Sequence, residues 1–329
     1  MVDNHILSVH SQLLVKIGGL AKRCQSEIPS IADIRRDSDL GLISLAKGIH
    51  PGIRTNDVAI PGPGGRLRVR IYQPARVNGP GPALVYFHGG GFVMGSIETH
   101  DAVCRFLATH ADVRILSVNY RLAPEHPFPA AVEDAVSAFH QIVENSSQFG
   151  VTAHAVAVGG DSAGACLAAV VSHSAVKNAV PPPVFGLLLY PPTDIVGLGF
   201  RSQDLFPFVL DNEILGLCRD QYLPDPSLYD DPRVSILQET ALRGLPPTYV
   251  ASPGFDPMRD EGEAYVELLR RFGVDVEHQR RPTLMHGFAT FFMIDPEAKI
   301  AMLQAAHALR RGLKVRPGKA YCGDGCGIT

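Results

Sequence analysis

Residues 155–176 read AVAVGGDSAGACLAAVVSHSAV. Ala155 to Val158 is a short, continuous apolar run, the pattern of a strand buried on both faces. The segment Ala163 to Val176 reads as a helix. Between them stands Gly160-Asp161-Ser162-Ala163-Gly164, a G-x-S-x-G pattern in a strand–turn–helix context. So sharp a turn strains the backbone of its central residue, and flanking glycines without Cβ let neighbouring chain come close. The Ser162 hydroxyl then projects above the sheet beside a helix N-terminus. Free N–H groups and a positive partial charge there favour a developing oxyanion. A serine N-cap on an ordinary βα turn would use the same residues, so these five alone do not decide the chemistry.

Working outward, the same punctuation recurs. Leu67 to Tyr72 (LRVRIY) alternates apolar and polar, as a half-exposed strand near one end of a sheet does. Residues 83–87, 113–118, 184–190 and 248–251 are further short apolar runs, and 274–278 is a weaker last one. Helical segments fall between them at about 99–110, 130–145, 258–272 and 296–312. Strand alternating with helix implies βαβ crossovers and a mostly parallel sheet flanked by helices. The connection from Tyr190 to Pro247 exceeds what a crossover helix needs. Part of it (Leu205 to Leu210, then Asp211 to Tyr222) is expected to be an insertion above the strand C-termini, where ligands bind in such sheets. Ile6, Val9, Leu13, Leu14 and Ile17 recur at helical spacing before the sheet. The expected organisation is N-terminal cap helices over 1–50 and a catalytic domain over 51–312 carrying a cap insertion at about 196–240. A tail over 313–329 follows.

A second motif, His88-Gly89-Gly90-Gly91-Phe92, follows the run at 83–87. Three bare glycines can turn backbone N–H groups toward a substrate oxygen, as in the oxyanion loop of lipases and esterases. A phosphate-binding loop would require G-K-[ST] or G-x-G-x-x-G, which is missing here. A serine hydroxyl near neutral pH needs a base, and the base needs an orienting partner. His286 sits in a Gly-containing loop (Leu284-Met285-His286-Gly287-Phe288) after the last strand-like run. By contrast, His278 falls within that strand and His307 within a helix. His88 precedes the glycines and is expected to stabilise their loop. For the acid, Asp256 stands just past the run at 248–251, with Pro257 after it. Its alternative reading is a helix N-cap. Asp260 and Glu261 are rivals, but both fall in a first helical turn, where acidic residues suit the dipole. Ser162, Asp256 and His286 occur in the order Ser, Asp, His that α/β hydrolases use.

Bulk composition restricts the alternatives. Of 329 residues, 46% are hydrophobic and 19% charged, so a large core is expected rather than disorder. The net charge of −3 and the lack of a dense basic block give no reason to expect nucleic acid or an anionic membrane as partner. Six scattered cysteines do not resemble a disulfide framework. Cys322 and Cys326 lie close together in a Gly-rich tail, but a metal site needs about four ligands. No metal or cofactor is expected. No basic leader with a following apolar run opens the chain, and no stretch approaches the ~18 apolar residues of a membrane span. A cytoplasmic location is the expectation.

Together these stretches resemble the hormone-sensitive-lipase family of bacterial esterases. The resemblance covers roughly residues 55–312. It rests on Tyr86 to Phe92, Asn119 to Glu125 (NYRLAPE), Pro127 to Ala131, Gly160 to Gly164, Asp256 to Gly262 (DPMRDEG) and His286 to Phe288. It implies an α/β-hydrolase fold with an eight-stranded, mostly parallel sheet and a helical cap. It implies a triad of Ser162, Asp256 and His286, and an oxyanion hole from the N–H groups of Gly89, Gly90 and Ala163. Gly91, Phe92 and Asp161 are expected to contact substrate. The implied activity is hydrolysis of short-acyl carboxylic esters through an acyl-enzyme, and many such proteins are homodimers. Two positions depart from the family pattern: Ala165 and Cys166 stand where Gly and Asn are frequent. An amidase, a peptidase or a lipase for long chains would use the same machinery. A ligand-binding protein on a dead hydrolase fold, such as the plant gibberellin receptors that have lost this histidine, is the reading from another class.

Overall fold

The computed structural model describes residues 5–23, 30–46, 52–178, 180–197, 212–240 and 242–314. Two helices, α1 (Val9–Arg23) and α2 (Ile31–Ala46), precede the sheet. The elements β1 (Ile53–Gly62), β2 (Gly65–Pro74), β3 (Gly81–Phe87), α3 (Asp101–Ala111), β4 (Arg114–Asn119), α4 (Ala130–Glu144), β5 (Val151–Asp161), α5 (Ala163–Lys177), β6 (Gly186–Leu189), α6 (Asn212–Tyr222), β7 (Thr248–Phe255), α7 (Arg259–Arg271), β8 (Val276–Met285), α8 (Phe288–Phe291) and α9 (Pro296–Gly312) follow. The eight strands form one sheet in the order β1-β2-β4-β3-β5-β6-β7-β8. From β4 to β8 every pairing is parallel, while β1 and β2 join by antiparallel ladders. This is the eight-stranded α/β-hydrolase sheet that the family resemblance implies.

Burial explains which strands are readable in the sequence. In β3, Leu84 and Tyr86 enter one core with α3 and α9, while Val85 and Phe87 enter the other with α4, α5 and α7. Both faces are apolar, so the run is continuous. The outer strand β1 escapes the sequence reading. Its stretch Arg54 to Asp57 is exposed and only Ile53 and Ile60 are buried, so it carries no apolar run. The opposite edge strand β8 extends ten residues instead of the five expected, because its middle (QRRP) is polar and half-exposed. β5 is also longer than 155–158, beginning at Val151 with a register irregularity against β3. The helices at 99–110, 130–145, 163–176, 258–272 and 296–312 appear within two residues of their expected ends.

In the long connection, α6 occupies the end of the expected insertion, whereas Leu205 to Leu210 lies outside the described residues, as do Cys322 and Cys326. Among the described residues no helix is long and apolar enough to cross a membrane, and no cluster of three His, Cys, Asp or Glu could hold a metal ion. Cys104, Cys166 and Cys218 are free and buried.

The parallel strands all point the same way, and four of them deliver the site. β3 leads into His88–Gly91, β5 ends beside Ser162, β7 ends before Asp256 and β8 ends before His286. Adjacent pairing aligns these ends: Phe87 opposes Gly160, and Phe255 opposes Met285.

Candidate active site

Ser162 has φ 51° and ψ −125°, a conformation that L-residues rarely adopt. The surroundings hold it there. Its N–H donates to the Leu189 carbonyl of β6 at 2.9 Å. A Cβ on Gly164 would stand 2.0 Å from the Phe87 carbonyl oxygen, and one on Gly160 would stand 2.4 Å from it. The flanking glycines are therefore required because α5 starts in contact with β3. The result is a half-exposed hydroxyl at the head of a fifteen-residue helix.

The ladder between β7 and β8 brings acid and base together. The His286 N–H donates to the Phe255 carbonyl at 3.2 Å. Nδ1 of His286 lies 2.8 Å from Asp256 Oδ2, and Nε2 lies 2.9 Å from Ser162 Oγ. Asp256 Oδ1 accepts the Met258 N–H at 2.8 Å. Asp256 thus braces the turn before α7 and touches the imidazole with the same carboxylate; the N-cap of α7 is Met258, so the alternative reading of Asp256 as the helix cap is not what the structure has. Donation from Nδ1–H to this carboxylate leaves the Nε2 lone pair toward the serine hydroxyl. The rival acids are occupied elsewhere. Asp260 pairs with Arg259 at 2.8 Å, and Glu261 accepts the Thr193 and Asp194 N–H groups. Burial pushes the Glu261 carboxyl up to about 8. His278 lies 3.1 Å from Ser252 Oγ, away from the triad.

Two of the residues expected at the site, Gly89 and Asp161, are bonded to each other. The Gly89 N–H donates to Asp161 Oδ1 at 3.0 Å, with His100 Nε2 at 3.3 Å, and a Cβ on Gly89 would meet Asp161 Oδ2 at 2.4 Å. Its donor is committed below the loop and is unavailable to a ligand. Gly90 (φ +123°) and Gly91 (φ +59°) carry the turn forward instead. Among the described residues, the N–H groups of Gly90, Gly91 and Ala163 have no acceptor in the protein. Of the expected donors, the Gly90 and Ala163 N–H groups are thus left without a protein partner, whereas that of Gly89 is bonded to Asp161.

Asp161 is the hub of these contacts. It is buried, and its carboxylate is consumed by the protein. Tyr86 Oη donates to Oδ1 at 2.6 Å, Gly89 N–H to the same oxygen, and Tyr190 Oη stands 3.4 Å from Oδ2. It supports the glycine loop from the wall of the cavity that Ser162 and His286 open on. Burial alone would raise its pKa, but His100 and Tyr86 outweigh this and hold it below the usual carboxylate value. His88 behaves as expected of a loop stabiliser. Its Nδ1 lies 2.9 Å from the Gly89 carbonyl, its ring stacks on Tyr120 at 4.3 Å, and burial lowers its pKa to about 3. Tyr86, His100 and Tyr190 were not legible as site residues: His100 and Tyr190 belong to no motif, and Tyr86, although it opens the stretch that carries the resemblance, gives no local sign of its bond to Asp161.

Ser162 and His286 open on a cavity of about 270 Å³. Ile34 and Leu42 of α2 and Ile214, Leu215, Cys218 and Tyr222 of α6 line it, with Met258 and Phe291 from the strand side. Gly91 and Phe92 line it as expected, and the Phe92 ring stacks on Tyr222 at 4.0 Å. Apart from Arg219, the Cys218 thiol and the Tyr222 hydroxyl of α6, the helix side is hydrocarbon and aromatic ring.

Comparisons with known proteins agree with this geometry. Residues 84–290 match a family model described as the alpha/beta hydrolase fold. The carboxylic ester hydrolase LipN of Mycobacterium tuberculosis is 43% identical over 269 residues, covering 79% of this chain and 71% of that protein. The ethyl acetate hydrolase of Pseudomonas putida is 34% identical, covering 76% of this chain and 80% of its own. The solved structure of a hyperthermophilic esterase from the archaeon Pyrobaculum calidifontis superimposes with a TM-score of 0.87 at 37% identity, covering 93% of this chain and 99% of that one. By fold, motif and likeness, the chain belongs to the α/β-hydrolase family, within the hormone-sensitive-lipase-like group of esterases.

Proposed function

We propose that this protein is a carboxylic ester hydrolase that acts on short acyl chains, with Ser162 as nucleophile, His286 as general base and acid, and Asp256 as the orienting acid. The observation that carries the reading is the unbroken relay of 2.8 and 2.9 Å from Asp256 through His286 to Ser162, opening on an apolar cavity. Ser162 Oγ attacks the ester carbonyl as Nε2 takes its proton. The oxyanion that forms is met by the N–H groups of Gly90, Gly91 and Ala163. His286 then returns the proton to the leaving alcohol. Water, deprotonated by the same nitrogen, cleaves the acyl-enzyme and restores Ser162. Asp256 keeps Nδ1 protonated and stabilises the imidazolium. Every step uses side chains, backbone and water.

Helices α2 and α6 act as the cap, and the roughly 270 Å³ beneath them suits a small acyl group with a small alcohol. The relatives named for ester and ethyl acetate hydrolysis support the same class. A fluorophosphonate probe is expected to label Ser162 alone. Ser162→Ala should lower kcat by about 10⁶-fold, with the fold retained. Labelling elsewhere, or full activity in Ser162→Ala, would sink the assignment. A series of p-nitrophenyl esters from acetyl to dodecanoyl tests the chain-length claim, and a maximum at long chains would assign a lipase instead.

A further inference from the structure

Tyr190 follows β6 directly and belongs to no recognised motif. It is almost fully buried, yet its backbone takes φ +43°, a strained value for a bulky residue. Strain of this kind persists only where the surroundings demand it. Its N–H donates to the Ala251 carbonyl of β7 at 2.8 Å, next to the Leu189 carbonyl that anchors the Ser162 N–H.

The side chain reaches both halves of the site. Its ring meets the His286 ring edge-on, 4.7 Å between centroids at 62°, and meets Phe288 at 4.9 Å and 72°. Its hydroxyl accepts the Ala289 N–H at 3.2 Å, three residues past His286. The same hydroxyl has one proton to give, and Asp161 Oδ2 lies 3.4 Å away. Asp161 in turn holds the Gly89 N–H. A chain of contacts therefore runs from the base, through Tyr190, to the carboxylate under the oxyanion loop.

We propose that Tyr190 is a positioning residue that sets the distance between the His286 imidazole and the oxyanion loop. This rests on the reading of Ser162 and His286 given above. The ring limits the imidazole to the face that points at Ser162. The hydroxyl fixes the start of α8 on one side and the Asp161 carboxylate on the other. A one-residue error in either would displace donors that must lie about 2.7–3.1 Å from the oxyanion.

Tyr190→Phe and Tyr190→Leu separate the two contributions. Active sites are counted by fluorophosphonate titration, and p-nitrophenyl acetate is the substrate. Tyr190→Phe keeps the ring and loses the hydroxyl. It is expected to lower kcat per site about tenfold with KM within twofold, the signature of an interaction felt in the transition state. Its downfield NMR resonance from His286 Nδ1–H should stay in place. Tyr190→Leu also loses the ring, so that resonance should shift or broaden and labelling should slow. A residue that merely supported the fold would lower the melting midpoint and leave kcat per titrated site unchanged. That result in Tyr190→Phe, or a tenfold effect confined to KM, overturns the hydroxyl link. A wild-type resonance in Tyr190→Leu overturns the ring contact. Should Tyr190→Leu fail to fold, Tyr190→Phe decides, since it removes one oxygen atom. Ser162→Ala is run alongside. Turnover in that variant overturns the nucleophile assignment and this proposal with it, whereas an inert Ser162→Ala beside an unaffected Tyr190→Phe overturns the role of Tyr190 alone.

Discussion

On the strand side of the cavity, one carboxylate, Asp161, gathers Tyr86, Gly89, His100 and Tyr190 around it. On the helix side, Ile34, Leu42, Ile214 and Leu215 meet the same space with hydrocarbon. The first region is directional. A buried hydrogen bond or ion pair fixes positions to tenths of an ångström and is costly to leave unsatisfied. The second is not directional, because apolar contact constrains volume and little else. Chemistry and selection of substrate are thus assigned to opposite walls, and mutations should divide the same way: kcat on the strand side, KM and chain length on the helix side.

The sharpest blow to that division would fall on Asp256. Asp256→Asn keeps the shape but offers an amide where Nδ1–H needs an acceptor, so the imidazole is stabilised in the wrong tautomer. A drop in kcat of about 10⁴-fold is expected, read as turnover per titrated site. A drop below tenfold would mean that the acid lies elsewhere.

Next in size is Gly90→Ala. The new Cβ would stand 2.2 Å from the Met94 carbonyl oxygen at a φ of +123°, so the loop must move and take its N–H groups with it. Loss of about 10²–10³ in kcat is expected for p-nitrophenyl acetate. If KM rises while kcat holds, the loop belongs to the selecting wall instead.

The smallest effect tests the other side. Arg35 of α2 donates to the Val93 and Ala123 carbonyls at 2.6 and 2.7 Å and forms a two-pronged pair with Glu125. It therefore ties the helix that carries Ile34 to the end of the oxyanion segment. Arg35→Ala should raise KM about three- to tenfold, change kcat less than about twofold and cost about 1–2 kcal/mol in urea unfolding. The hydrogen bonds from Arg35 hold the Glu125 carboxyl down at about 2, against an ordinary 4.5. A depressed carboxyl contributes stability that is fully present above the ordinary value and drains away as pH falls toward the lowered one. Glu125 is largely exposed, so this contribution is small. Arg35→Ala should lack that part of the acid slope between about pH 4.5 and 2.

The same division explains what was legible in the sequence. Ser162, Asp256 and His286 stood out as candidates because each follows the buried end of a strand, and a turn there has few permitted residues. The glycine motif was legible as a loop, but the bond that occupies the Gly89 N–H was not. The commitment of the Gly89 N–H to Asp161 depends on a side chain 72 positions away, which no local pattern encodes. Tyr86, His100 and Tyr190 were hidden for the same reason. At the sheet edges the difficulty was different. β1 and the middle of β8 face solvent on part of their surface, so their polar residues read as loop.

The pairing of Phe255 with Met285 holds the imidazole at the margin of the sheet. Ser162 and His286 lie 124 residues apart in the chain, and β8 pairs with β7 alone. An edge strand has one neighbour to hold it, so its end frays more readily than the middle of the sheet. Under mild denaturant the contact between His286 and Ser162 should therefore be lost before the serine turn, which β3 and β6 hold from both sides.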